Sequence, residues 1–159
     1  MTAQILTLVG VVIGAFTSYL ATAAAERAKF KRAMAMRWDE RRLETYIAYT
    51  TAVKEVVRAG GVMFEPHNTG ADDSRHAAAM EEANARRSVT FETLLLLASP
   101  ATIEVAHELN HEVRKAMTHV RLPEHREPDG WESIGPEAMR LLNKLHEVAR
   151  QDLGVSWTS

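Results

Sequence analysis

The chain has 159 residues, with 19 basic and 21 acidic side chains, a formal net charge of −2 and no cysteine. Those figures exclude disulfides, thiolate metal sites and cysteine nucleophiles, and they leave no excess of positive charge for broad nucleic-acid binding. The charge is unevenly divided: residues 26–42 hold seven basic and three acidic side chains, whereas 43–159 hold twelve basic and eighteen acidic.

Residues 3–25 (AQILTLVGVVIGAFTSYLATAAA) carry no charged side chain. A hydrocarbon core of about 30 Å needs about 20 such residues in a helix, so this run predicts a transmembrane segment. Thr7, Thr17, Ser18 and Thr22 can return their hydroxyl bonds to their own helix, which makes them tolerable in lipid. A cleaved secretory signal is the first rival, because Ala21-Thr22-Ala23 has the small-x-small form. A signal wants positive charge before its apolar stretch, and here the charge comes after it: Arg27, Lys29, Lys31, Arg32 and Arg37 follow, with no acid between Arg27 and Arg37. Basic flanks stay in the cytoplasm, which puts the N-terminus outside and the rest inside the plasma membrane. A buried helix of a soluble protein fits less well, since the run lacks a polar face.

Gly10-Val-Val-Ile-Gly14 is a G-x-x-x-G match, and Ser18 extends it by four residues. Small residues at that spacing let two backbones approach, so Gly10, Gly14 and Ser18 are the candidate self-association stripe of a homo-oligomer. The basic collar Arg27, Lys29, Lys31, Arg32 and Arg37 is the candidate contact for anionic lipid headgroups of the bilayer.

From Ala15 to Ala59 there is neither Gly nor Pro. One helix is therefore expected to run from the membrane segment to Gly60-Gly61, which would end it. Met34, Trp38, Thr45, Tyr49, Ala52 and Val56 mark its apolar face, and Leu43 and Ile47 widen the buried arc. Residues 60–72 read as a loop. A second helix follows over Asp73–Ala98, with Met80, Arg87, Phe91, Leu94, Leu95 and Ala98 on one face and the apolar block 94–97 in the core. Ser99-Pro100 is a capping hydroxyl followed by proline at the first helical position, and we expect a reversal there. The third helix, Pro100 to His119, has Ile103, Ala106, Val113, Met117 and Val120 as its stripe. Residues 121–135 read as a long loop with Trp131 pinning it. A final helix is expected from Pro136, with Ala138, Leu141, Leu142, Leu145, Val148, Ala149 and Leu153 inward and Gly154 after it.

His107-Glu108-Leu109-Asn110-His111 matches H-E-x-x-H on a helix, the pattern in which two His bind zinc and the Glu activates water. Glu104 and Glu112 flank it, and Arg114 and Met117 stand where the extended motif has Gly and His. Both His fall beside the charged face, and no third ligand is selected among Glu132, Glu137 and Glu147. The sequence therefore assigns no catalytic residue, no metal ligand and no cofactor.

The N-terminal span, Trp38-Asp-Glu-Arg-Arg42 with Tyr46 and Tyr49, Leu94–Pro100 (LLLLASP) and Ala149–Gly154 (ARQDLG) together resemble a group of small single-span membrane proteins of high-GC actinobacteria. That resemblance implies a membrane helix with a helical cytoplasmic domain and carries over no activity.

The sequence thus predicts an all-α protein: an anchor over 1–25, a basic juxtamembrane segment over 26–42, and an antiparallel bundle of about four helices over 43–159. The expected function is a membrane-anchored scaffold or interaction module, with an unidentified protein partner and no nucleic acid. A regulator signalling through the continuous helix, a metallohydrolase built on His107, Glu108 and His111, and more remotely a pore-forming factor are the alternatives.

Overall fold

The computed structural model describes the backbone of residues 2–63, 73–121 and 128–155, and side chains within 14–63, 74–121 and 131–155. Four helices make up the described residues: α1 (Thr2–Met63), α2 (Asp73–Leu97), α3 (Pro100–Arg121) and α4 (Pro128–Asp152). The fold is all-α. Contacts divide the chain into two units, 1–40 and 41–159.

In the first unit, every described residue except Ala23 and Met34 is exposed, including Phe16, Tyr19, Leu20 and Phe30. Thr22 donates its hydroxyl to the Ser18 carbonyl at 2.9 Å, the return bond that a hydroxyl needs when it has no water. Among the described residues, no helix is long and apolar enough to cross a membrane. The uncharged run 3–25 is described with side chains only from Gly14 onward, so Gly10 is described in its helical backbone alone.

The second unit is an antiparallel helical bundle. Arg121 near the end of α3 binds Glu81 near the start of α2 through two nitrogens, at 2.7 and 2.8 Å. That pairing can form only if Ser99-Pro100 reverses the chain. The Ser99 carbonyl accepts from Ile103 N–H at 2.9 Å, and the Ser99 hydroxyl lies 3.1 Å from that of Thr102, so the serine caps α3 as its position suggests. The core contains Tyr49, Val53 and Val56 of α1, Met80 and Leu94 of α2, Leu109 and Val113 of α3, and Leu142 and Leu145 of α4, all within 1 % of full burial. Stripes with a period of 3.6 residues are what let each helix bury one face against the others.

One carboxylate ties the ends of three elements together. Asp152 is the last residue of α4, where an acid opposes the helix dipole. It accepts from the backbone N–H of Ser99 at 2.9 Å and from the Tyr46 hydroxyl, with Arg42 Nη1 at 4.0 Å. Arg42 Nε donates to the Leu97 carbonyl at 2.8 Å, which is one of the orphan acceptors at the end of α2. Burial, then the bond to Asp152, pushes the Tyr46 hydroxyl far above its ordinary pKa, so it stays a donor. Gly154 has φ of +68° and closes α4: its N–H bonds the Gln151 carbonyl at 3.0 Å and Val155 N–H bonds that of Arg150 at 2.9 Å. This is the glycine-capped helix end in which only a residue without Cβ avoids strain.

Four expectations are corrected. Gly60-Gly61 do not end α1; they lie inside it because Trp131 packs on them, and a Cβ at Gly60 would come within 2.4 Å of the indole. The final helix begins at Pro128 rather than Pro136, which is an interior proline, so only 122–127 of the expected long loop lie outside the described residues. The apolar block 94–97 is not uniformly core: Leu94 is fully buried and Leu96 is 85 % exposed. Leu43 and Ile47 are exposed rather than part of a wider buried arc, and so is Trp38.

The Gly60–Trp131 contact has a sign that can be measured. Alanine has a helix propensity about 1 kcal/mol better than glycine, while overpacking costs about 1–3 kcal/mol. Gly60→Ala should therefore lower the denaturant midpoint in the wild-type background and raise it in a Trp131→Ala background. The same direction of change in both backgrounds would remove the contact as the reason for the glycine.

Candidate functional site

α2 and α3 pack as a hairpin, and between them opens a cleft of about 630 Å³ whose lining includes Arg87, Phe91, His107, Asn110, Arg114 and Arg121. Its walls are mostly polar, in contrast to the apolar groove of about 610 Å³ between α1 and α2 near Ala52 and Val89.

Arg87 lies on the inward face of α2 in step with Met80, Phe91 and Leu94, which is why it is 6 % exposed. Its Nε and Nη2 both donate to Asn84 Oδ1, at 3.1 and 2.7 Å. No carboxylate pairs with it among the described residues. Burial, with a smaller contribution from Arg114, pulls its pKa below the ordinary arginine value, an effect that Tyr49 partly opposes. A guanidinium stays protonated nonetheless, so the charge remains in place. Arg121 differs from it: its fork is occupied by Glu81, whose carboxyl is held below its ordinary range chiefly by that hydrogen bond. Asn110 Oδ1 is buried without a hydrogen-bond partner. A buried acceptor left open costs about 1–3 kcal/mol, so its position calls for a reason. His107 sets its ring edge-on to Phe91 with centroids 5.2 Å apart, and Phe91 in turn meets Tyr49 at 5.8 Å.

The H-E-x-x-H residues do not converge. His107 faces Phe91 of α2, while Glu108 pairs with Lys144 of α4 at 3.1 Å and His111 is exposed. Consecutive helical positions are about 100° apart, so His107 and Glu108 meet different neighbours. Among the described residues, no group of three His, Asp or Glu could hold a metal ion. Of the predicted site residues, Gly14 has nothing within 4 Å of a built Cβ, and Ser18 is exposed. Arg27, Lys31, Arg32 and Arg37 are exposed, and Lys29, also exposed, pairs with Glu26 at 3.1 Å. Spacing alone places Arg87 as a core position of α2, and the sequence signal of a site there is a cation falling in an apolar stripe. Asn110 and Arg114 had no periodic signal of their own.

Family models, curated proteins and solved structures contain no match to this chain.

A third groove, between α1 and α4, is lined by Tyr46, Thr50 and His146 among others. Burial lowers the His146 pKa, helped by Lys54 of α1 and Arg150 of α4. The unfolded chain then binds the proton more readily than the folded one. Stability from this group is fully present above the ordinary value of 6.5 and is lost as pH falls through the lower folded value. The thermal midpoint should drop between pH 7.5 and pH 5, and His146→Gln should flatten that decline. An equally steep decline in the variant would assign the pH dependence to other groups.

Proposed function

We propose that this protein is a membrane-anchored helical interaction module, with residues 3–25 as a single span, the N-terminus outside and the bundle 41–159 at the cytoplasmic face. The observation that carries the reading is the pairing of an uncharged run with an exposed basic collar. Within that run Phe16, Tyr19 and Leu20 are 63, 70 and 52 % exposed. In water such a surface favours association, whereas in lipid it is the surface a span presents. The exposed cations Arg27, Lys31, Arg32 and Arg37 follow within the next turns, where anionic headgroups would meet them. The resemblance to single-span actinobacterial proteins supports the same architecture.

Self-association through Gly10, Gly14 and Ser18 belongs to this proposal. The open space around Gly14 supports it, because a Cβ built there has nothing within 4 Å among the described residues. A second reading, a regulator that signals along α1, draws support from the unbroken helix Thr2–Met63.

Paired C-terminal fusions test the proposal. A fluorescent protein that matures inside should be bright and a phosphatase active only outside should be silent, with the protein retained in carbonate-washed membranes. Phosphatase activity, or release by carbonate, would refute the topology. Gly14→Leu should reduce self-association in a membrane two-hybrid assay by about tenfold, roughly the worth of one close helix contact. An unchanged signal would remove the stripe from the proposal.

A further inference from the structure

We propose that the α2–α3 cleft binds a small phosphorylated polyol, with Arg87 and Arg114 holding the phosphoryl group and Asn110 accepting from a hydroxyl of the same molecule. This site lies in the bundle and does not depend on the anchor.

Arg87 is the first reason. The fold buries its guanidinium, and among the described residues it bonds the side-chain oxygen of Asn84. A buried charge is normally matched by an opposite charge, because desolvation is otherwise uncompensated. Arg114, a second cation, adds to the effect of burial in disfavouring the charge on Arg87, which Tyr49 partly opposes. Arg114 lines the same cleft, and no carboxylate pairs with it among the described residues. Two guanidiniums that face one cavity, with no paired carboxylate among the described residues, suit a doubly charged oxyanion, which they can grip through forked, charge-assisted bonds.

Asn110 is the second reason, and it is independent. Its buried Oδ1 has no partner and borders the same cleft. An acceptor repels a phosphate oxygen, so it must meet a donor elsewhere on the ligand, and a hydroxyl serves. Glu92 on the lining is a further acceptor, favourable to hydroxyls and unfavourable to a second anionic group. The cleft volume of about 630 Å³ is larger than a bare phosphate fills and lies within the range of small-molecule sites. Phe91 and His107, edge to face, supply a wall against the carbon skeleton.

The test uses the purified full chain in detergent micelles and isothermal titration calorimetry at constant ionic strength. The probes are glycerol 3-phosphate, inorganic phosphate and glycerol. Glycerol 3-phosphate should bind saturably and about tenfold tighter than inorganic phosphate, the scale of one satisfied buried hydrogen bond, while glycerol alone gives no heat of binding. Arg114→Gln, an exposed position whose loss spares the core, should weaken both anions by about tenfold or more. Asn110→Ala should bring the two anions to similar affinity, with helical circular dichroism unchanged. Absence of saturable binding by either anion, or an unaltered affinity in Arg114→Gln, would overturn the site. A preference surviving Asn110→Ala would overturn the hydroxyl assignment. The same phosphoryl-polyol chemistry occurs in free molecules and in lipid headgroups. Nanodiscs of phosphatidylglycerol that compete with glycerol 3-phosphate would support a headgroup as the source, and absence of competition would support a free molecule.

Discussion

The bundle depends on how one buried carboxylate is satisfied. Asp152 ends α4, where the helix dipole disfavours an acid, yet it gathers the Ser99 amide, the Tyr46 hydroxyl and the Arg42 guanidinium. Arg42 also closes the end of α2 through the Leu97 carbonyl. The α2–α3 reversal, the inward face of α1 and the last turn of α4 are thereby fixed by a single charge. The apolar stripes supply most of the driving force for packing, but they are non-directional. The Asp152 network gives the four helices a common register at this end, as fully satisfied polar clusters in cores do.

Arg87 is the opposite case within the same bundle. It is a buried charge, and among the described residues it has an amide oxygen and a neighbouring cation rather than a paired anion. Asp152, by contrast, has two hydrogen-bond donors and a guanidinium at 4.0 Å. The unmatched cation and the open acceptor of Asn110 therefore mark a place where the local rules of stability are set aside, as they commonly are at binding sites. The proposed anchor and the proposed cleft site are separate proposals: the first would hold the bundle at a membrane surface, and the second would give the bundle a ligand.

Much of this architecture was legible in the order of residues. Tyr49, Ala52 and Val56, and likewise Ala138, Leu141 and Leu145, announce their faces by spacing alone, and Ser99-Pro100 announces a helix start. What escaped were features decided by residues distant in the chain. Gly60-Gly61 looked like a terminus, because nothing near them says that Trp131 will lie against their bare backbone. Pro136 looked like a start, because the packing of Trp131 and Ile134 ahead of it outweighs the hydrogen bond that an interior proline removes. Leu96 shares its composition with Leu94 and differs only in phase. The H-E-x-x-H pattern points to His107 and His111, while the residue between them that lines the cleft with an unmet hydrogen bond is Asn110.

The contrast between the two buried charges can be measured directly by urea unfolding of Asp152→Asn and Arg87→Met in the absence of added anions. The account predicts that Asp152→Asn costs about 2–4 kcal/mol, since it leaves buried partners of a charge unmatched. It predicts that Arg87→Met is neutral or stabilising by about 1 kcal/mol, since an uncompensated cation gives way to an apolar chain of similar length. A loss on Arg87→Met as large as that on Asp152→Asn would contradict the account, because the guanidinium would then be serving the fold rather than a ligand.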